Sequence, residues 1–289
     1  MSDLILEISK QSGLELKSPN EYFDLGSQET LEVRVENETT NFFVKTTKKH
    51  NHPRFSSEEE GLKLIAKTNT LRTPKVIACG QTKEVSFIIL EYLKMTEKTS
   101  ISAKKLGEKL AKMHKNTANL FGLNKDNWIG LTRQHNKENN NWSTFYVEQR
   151  LLPQLELAYR NGYKQNLEKK ANHLIGKIEW FFKDYSPEAS LLHGDLWSGN
   201  WGAINNKPVI FDPAVYYGDR ESDIAMTYLF GAFPQDFYSS YNKTWPLANG
   251  FEKRKNLYNL YHVLNHLNIF GFSYLQQCEN LLDNLIQKL

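Results

Sequence analysis

The eight residues 193–200, HGDLWSGN, place Asp195 behind a histidine–glycine pair and set Asn200 five positions after it. A second aspartate, Asp212, closes the apolar run VIFD seventeen positions beyond Asp195. In such a set one carboxylate can take or orient the proton of an attacking hydroxyl. A separate amide oxygen and carboxylate offer the hard oxygen ligands that magnesium prefers. The combination points to phosphoryl transfer from a nucleotide, which a protein promotes mainly by positioning its reactants and neutralising their charge. That chemistry needs further parts upstream. Lys45 ends the run FFVK, and a strand ammonium facing an interior needs a carboxylate and phosphate oxygens to meet its charge. Glu58, thirteen residues later on the next predicted helix, is its expected partner, whereas Glu59 and Glu60 point to other faces. FIILEYL, residues 87–93, reads as an apolar strand whose exit at Glu91, Tyr92 and Leu93 can present backbone to an adenine edge.

Each of these signals is weak alone. HGD fits a capped turn as well as a catalytic loop, a lone strand lysine is ordinarily an edge residue, and a glutamate early in a helix ordinarily serves the helix dipole. Their order and spacing carry the argument. Lys45, Glu58, the 91–93 junction, Asp195, Asn200 and Asp212 follow one another as the corresponding parts of a kinase do. The loop that should cover the phosphates is the poorest part. Its only candidate is LGSQET, residues 25–30, with one glycine, so the backbone amides of Gly26 and Ser27 are the expected phosphate donors.

The elements that would position these residues fall into two groups. Residues 1–20 read as a short amphipathic helix. Residues 31–36 and 41–46 form an expected hairpin, and residues 56–67 a helix capped by Ser56 or Ser57. Residues 73–79 and 85–91 read as two more strands with Gly80 in the turn between them. From residue 94 onward the pattern is helical, at 102–115, 145–159, 169–183 and throughout 222–289, interrupted by the polar HGD loop and a strand at 208–211. The expected organisation is α+β and bilobal: a β-rich nucleotide lobe over 1–93, then a mainly helical catalytic and substrate lobe over 94–289.

Bulk properties exclude several other classes. A net charge of +3 on 289 residues is too slight for a dedicated nucleic-acid binder. Two unrelated cysteines, Cys79 and Cys278, cannot make a disulfide framework or a thiolate metal site. The first residues lack a basic start and an apolar core, and no apolar run is long enough to span a bilayer, so a cytoplasmic protein without membrane partners is expected. His262 and His266 stand four apart in HVLNH, but the glutamate of a zinc HExxH site is missing. A polar wall of the acceptor pocket is the reading for His266. Trp197, a large ring in a short polar loop two residues after Asp195, is placed to stack on a sugar face.

With these residues in view, the chain resembles the fructosamine (ketosamine) kinase family, within the wider aminoglycoside-phosphotransferase and protein-kinase-like group. The resemblance runs from about residue 42 to 272. LLHGDLWSGNWG looks like that family's catalytic loop, and FDPAVYYGDRESDIAMTYLFGAFP like its metal loop and following helix. FGLNKDNWIG, RLLPQL and LYHVLNHLNIFG add matches elsewhere. The resemblance implies a protein-kinase-like fold and transfer of the ATP γ-phosphate to a sugar hydroxyl of a ketoamine, a fructose–, ribulose– or erythrulose–lysine adduct. The phosphorylated adduct then releases its amine, which amounts to deglycation. Substrates would be small ketoamines or glycated lysines on proteins.

Carried over residue by residue, Asp195 is the catalytic aspartate, Asn200 and Asp212 hold Mg2+, and Lys45, Glu58 and Glu91–Leu93 serve ATP. His193 and Asp223 support the catalytic loop. The phosphate loop departs from the family's glycine-richer pattern and lacks a cysteine, so redox control through it is not expected. The rival readings are another small-molecule kinase, acting on an aminoglycoside or amino alcohol, and a nucleotide-binding scaffold without turnover. Lys243, Lys253 and Lys255 disfavour a polycationic acceptor, and retention of all four charged and amide groups disfavours the scaffold.

Overall fold

The computed structural model describes residues 2–16, 21–23, 31–36 and 41–289. Gly26 and Ser27 therefore lie outside the described residues. The first half of the fold is an antiparallel sheet between two helices. In chain order it comprises α1 (Ser2–Ser12), β1 (Glu21–Phe23), β2 (Leu31–Glu36), β3 (Asn41–Lys48), α2 (His52–Lys67), β4 (Val76–Gln81) and β5 (Val85–Glu91). The strand order is β1-β2-β3-β5-β4.

Period-two alternation sorts the side chains of β3 and β5. Phe42, Val44, Phe87 and Ile89 pack with Ile5, Ile8 and Leu16 of the N-terminal segment. On the opposite face Ile88 and Leu90 pack with Phe55 and Leu62 of α2. Lys45, one residue on from Val44, is thereby turned to the α2 side. This alternation, set by the strand pattern alone, decides which helix the lysine can meet.

Two local expectations need correction. Helix α2 begins at His52 rather than near residue 56, with Asn51 before it and Pro53 in its first turn. Proline's fixed φ suits that position, and Ser57 sits inside the helix with its hydroxyl donating to the Pro53 carbonyl at 2.7 Å. Gly80 lies within β4 and not in a turn. The reversal comes at residues 82–84, where the Thr82 hydroxyl accepts the Val85 N–H at 3.1 Å.

The second half is mainly helical. It runs through α3 (Ser100–His114), β6 (Thr117–Ala118), β7 (Asn127–Ile129), β8 (Thr132–Gln134), α4 (Trp142–Tyr146), α5 (Leu152–Ala158) and α6 (Lys164–Ile175). Then follow β9 (Ala189–Leu192), β10 (Trp201–Ile204), β11 (Lys207–Ile210), β12 (Tyr216–Gly218), α7 (Glu221–Met226), α8 (Gln235–Thr244), α9 (Phe251–Phe270) and α10 (Leu275–Ile286). The two helices expected over 145–183 are present with other bounds: the first runs from Trp142 through a wide turn at Val147–Leu151 and breaks at Gly162, whose φ is +97°, and the second is Lys164–Ile175, followed by a 3-10 turn at Ile178–Phe182. Among the described residues no helix is long and apolar enough to cross a membrane.

Short strands frame the polar loops. β9 pairs with β12 and β6, and β10 pairs with β11. The segment after β5 is tied to that second hairpin, since Thr96 N–H donates to Ala203 O at 2.7 Å. Ile210 N–H likewise donates to Arg72 O at 3.0 Å. The sheet half and the helical half thus share backbone hydrogen bonds beside the cleft between them. Helix α3 begins with a capping box in which Thr99 and Ser102 satisfy each other's backbone.

The α3–α8 contact is close enough to demand a particular residue. A Cβ on Gly107 would lie 2.2 Å from the Phe237 carbonyl oxygen and 2.3 Å from the Ser240 hydroxyl. Backbone cannot yield as a flexible side chain can, so Gly107→Ala forces the helices apart and is expected to cost about 1–3 kcal/mol. A lower urea midpoint at unchanged slope would show this, and an unchanged midpoint would contradict it.

Candidate active site

Lys45 is 5% exposed, and its Nζ lies 3.1 Å from Glu58 Oε1 and 2.5 Å from Asp212 Oδ1. Three elements converge here: β3 through its alternation, α2 through its early start, and the loop after β11. The earlier start of α2 puts Glu58 in its second turn, facing the sheet. Glu59 and Glu60 point elsewhere, to Lys63 at 2.6 Å and to Lys125. Burial raises the Glu58 pKa; the Lys45 ammonium opposes that shift and Asp212 adds to it.

The catalytic loop leaves β9, whose four residues are all buried. Gly194 has φ +84°, and a Cβ there would fall 2.0 Å from the Ala214 carbonyl oxygen. Only glycine lets the loop lie this close to the 212–214 segment. Asp223 holds the loop from below. It accepts the N–H of His193 at 2.7 Å and that of Gly194 at 2.9 Å, and His114 Nε2 lies 3.1 Å from the same carboxylate. Burial pushes the Asp223 carboxyl up, but its hydrogen bonds and the neighbouring histidines outweigh this and hold it below the usual range.

His193 connects the two loops. Its Nε2 is 2.9 Å from the Phe211 carbonyl, so that nitrogen carries the hydrogen and Nδ1 is left to accept the Asp195 N–H at 3.3 Å. Burial lowers the pKa of His193, which keeps the ring neutral as this pattern requires. Asn200 Nδ2 donates to the Asp195 carbonyl at 2.8 Å and lies 3.3 Å from its carboxylate. The amide nitrogen is therefore committed to the loop, and Oδ1 is the group left for a cation. From the segment after β5, Lys98 Nζ donates to the Ser198 carbonyl at 2.6 Å and pins the middle of the turn.

Asp195 stands apart from Asp223 in its electrostatics. Burial, then Asp212, then Asp223 push its pKa up to about 7, against the Asn200 hydrogen bond. Asp212 has φ +56°, left-handed backbone that a non-glycine residue adopts only under constraint. Asp195, Asn200 and Asp212 line a cavity of about 200 Å3 together with Lys45, Glu58 and Trp128. A neighbouring cavity of about 480 Å3 is bounded by Phe43, Leu90, Glu91, Tyr92, Leu93 and Met95. Trp197, Asn200 and Asp212 line both, so the two are halves of one cleft, polar at one end and apolar at the other. The amide oxygen of Asn200 and the carboxylate of Asp212 suit magnesium, which takes few carboxylates and completes its shell with water and phosphate.

The expected site residues are thus largely brought together. Lys45, Glu58, Asp195, Trp197, Asn200 and Asp212 share the cleft, and His193 and Asp223 underlie it. Glu91 lines the apolar half, but its N–H donates to Lys75 O at 2.8 Å and its carboxylate meets Arg72 at 2.7 Å, so it anchors the end of β5. Tyr92 and Leu93 carry the edge onward. His266 lines neither cavity. Its Nδ1 donates to the His262 carbonyl at 2.8 Å, and its ring stacks near Phe230, which meets Trp197 edge-on at 6.4 Å.

Sequence reading missed His114, which resembles a core histidine and whose partner lies 109 positions away. Roles for Arg54, Phe55, Trp128 and Gly130 in lining the polar cavity were missed as well. The motif FGLNKDNWIG held a signal for the last two, a tight hairpin ending in glycine.

The model of the family described as fructosamine kinase matches residues 8–288. A chain described as a probable ketoamine kinase of Vibrio parahaemolyticus is 40% identical over 85% of this chain and 85% of its own length. A protein-ribulosamine 3-kinase of Arabidopsis thaliana is 39% identical over 90% of this chain and 80% of its own. The crystal structure of a candidate fructosamine-3-kinase from Haemophilus somnus superposes with a TM-score of 0.89, covering 98% of this chain and 96% of that one at 29% identity. At the level of fold alone, an aminoglycoside phosphotransferase solved with AMP-PNP and hygromycin B gives 0.68 at 10% identity, covering 99% and 98% of the two chains.

Two outcomes follow from the carboxylates. The folded pKa of Asp195 is raised, so its stabilising contribution is present below the unfolded value near 4 and is lost as pH rises through about 7. Asp195→Asn should therefore raise stability above pH 7 by about 1–2 kcal/mol, a figure reduced for the open cleft, with the gain fading toward pH 4. Thermal melts of both proteins across that range would reveal it, and a pH-independent difference would refute it. Asp223→Asn should cost about 2–4 kcal/mol, because two loop N–H groups and His114 lose a charged acceptor, and kcat should fall about tenfold or more. Calorimetry together with kcat would show whether either loss is absent.

Proposed function

The chain belongs to the fructosamine kinase family, and on that premise we propose how its residues divide the work. It is a phosphotransferase that phosphorylates a sugar hydroxyl of ketoamines, and it uses ATP as a kinase of this family does. The observation that carries the assignment of roles is the single cleft in which Lys45, bound to Glu58 and Asp212, faces Asp195 and Asn200.

Asp195 takes the proton of the acceptor hydroxyl as that oxygen bonds to the γ-phosphorus and the bond to the departing ADP oxygen breaks. A carboxyl pushed up to about 7 suits proton transfer at neutral pH. Lys45 offers its ammonium to the phosphates, held in place by Glu58. Asn200 and Asp212 would hold Mg2+, which when bound would neutralise charge on the phosphate oxygens. The apolar half of the cleft, from Phe43 to Met95, takes the adenine, with Glu91, Tyr92 and Leu93 along its edge. Backbone at Gly26 and Ser27 would cover the phosphates. Trp197, which borders both halves of the cleft, can stack on the sugar, with His266 behind Phe230.

On this reading residues 1–93 form the nucleotide-binding lobe and residues 94–289 the catalytic and substrate lobe. Substrates include glycated lysines on proteins as well as small ketoamines, the setting is cytoplasmic, and the phosphorylated product goes on to lose its amine. The modest net charge of +3 gives no support to a nucleic-acid partner.

An ADP-release assay over fructose–, ribulose– and erythrulose–lysine adducts and an aminoglycoside tests this. Turnover is expected on at least one adduct, with loss on chelating magnesium. Asp195→Ala and Lys45→Met should each lower kcat/KM by about a hundredfold or more. Turnover on the aminoglycoside alone would overturn the reading.

A further inference from the structure

One face of α2 carries positions 54, 58 and 61, at helical spacing. A Cβ on Gly61 would lie 3.1 Å from the Pro213 side chain and 3.4 Å from that of Val215, so the helix rests directly on the segment that follows Asp212. One turn nearer its start, Glu58 meets Lys45 at 3.1 Å, and Lys45 in turn meets Asp212. One turn further stands Arg54. Its neighbour Phe55 is buried with Leu62, Ile88 and Leu90, which fixes the rotation of this turn against the sheet. Arg54 is half-buried and lines the polar cavity together with Lys45, Asp195, Asn200 and Asp212.

The charges around that cavity are unequal. Among the described residues that line it, Glu58, Asp195 and Asp212 bring carboxylates, and Lys45 and Arg54 bring cations. The Lys45 ammonium is already shared between two of those carboxylates. A phosphoryl group in transfer keeps its three non-bridging oxygens while its bond to the ADP oxygen breaks and its bond to the acceptor oxygen forms. Their negative charge needs donors throughout. Arg54 is the second cationic side chain placed to supply them. A guanidinium keeps its charge across the working pH range, and its planar fork matches two phosphate oxygens at once, as an ammonium cannot. Arg54 does not serve α2 itself, because a cation in the first turn of a helix opposes the helix dipole.

We propose that Arg54 is a further catalytic residue, whose guanidinium binds the terminal phosphoryl group of ATP and stays with it through transfer. This rests on the kinase reading and adds a ligand for the group that moves. The test uses Arg54→Met, which keeps an unbranched side chain and removes the charge. In calorimetric titrations with Mg2+ present, affinity for AMP-PNP should fall about tenfold while affinity for ADP, which lacks that phosphoryl group, stays within about twofold. On a ketoamine that the wild-type chain turns over, kcat should fall about a hundredfold and the acceptor KM should stay within about twofold. The Tm should stay within about 2 °C of the wild type. Should Arg54→Met fail to fold, Arg54→Gln removes the same charge with a polar side chain and is held to the same outcomes.

Equal losses of AMP-PNP and ADP affinity would overturn the proposal, because the guanidinium would then act on the rest of the nucleotide or on the shape of the cleft. Unchanged kcat would overturn it too, as would a loss confined to the acceptor KM, which would assign Arg54 to the acceptor. Failure of the wild-type chain to phosphorylate any ketoamine is a different result. It would remove the acceptor assignment, and the AMP-PNP against ADP comparison would still decide the role of Arg54. A wild-type chain that binds neither nucleotide would remove the kinase reading, and the role of Arg54 with it.

Discussion

The ammonium of Lys45, enclosed between the carboxylates of Glu58 and Asp212, is the interaction on which the site depends. A buried charge is tolerated only when it is paired and hydrogen-bonded, so three separate elements must arrive at one point. The alternation of β3 aims the lysine, the α2 helix brings the glutamate, and the loop after β11 brings Asp212 in left-handed backbone. Each partner is thereby fixed at the polar end of the cleft. The sheet half and the helical half of the molecule are coupled electrostatically through this triad.

A second constraint acts beneath it. Asp223 and Asp195 are close enough to raise one another's cost of ionisation, yet their surroundings separate them. Asp223 receives two backbone N–H groups and His114, which keep it charged and make it an anchor. Asp195 has one weak amide donor at its carboxylate and two like charges nearby, which make it a group able to accept a proton near neutrality. His193 lies between them as a neutral spacer whose tautomer is set by the Phe211 carbonyl. The close approach of Gly194 to Ala214 lets catalytic and metal loops share a backbone contact, Ala214 N–H to His193 O at 2.8 Å.

Much of this was legible beforehand because it is local. The spacing from Asp195 to Asn200 is a property of one loop, the strand character of 85–91 comes from an unbroken apolar run, and Lys45 and Glu58 are near neighbours in the chain. Boundaries were less legible where two local signals compete. Pro53 starts α2 ahead of the serines that looked like its caps, and Gly80 resembles a turn residue while serving inside a strand. The second helix of the pair over 142–175 starts at Lys164 and not near 169, because Gly162, in left-handed backbone, breaks the helix within a single residue and leaves no long linker.

What the chain's sequence by itself determined was which candidate groups it carries, their order and the kind of element each sits on, since these follow from residue chemistry and short-range periodicity. What only the tertiary structure decided was the state each group is in. The partnership of His114 with Asp223 spans 109 positions, and that of Lys45 with Asp212 spans 167. The raised pKa of Asp195 arises from burial and from charges supplied by other segments. His266 looked like a wall of the pocket, but its ring packs with Phe230, Phe270 and Tyr274 in an aromatic cluster one ring beyond Trp197. Proton affinity, tautomer and the direction a ring faces depend on what surrounds a group in space, and the surroundings come from parts of the chain that no spacing rule connects.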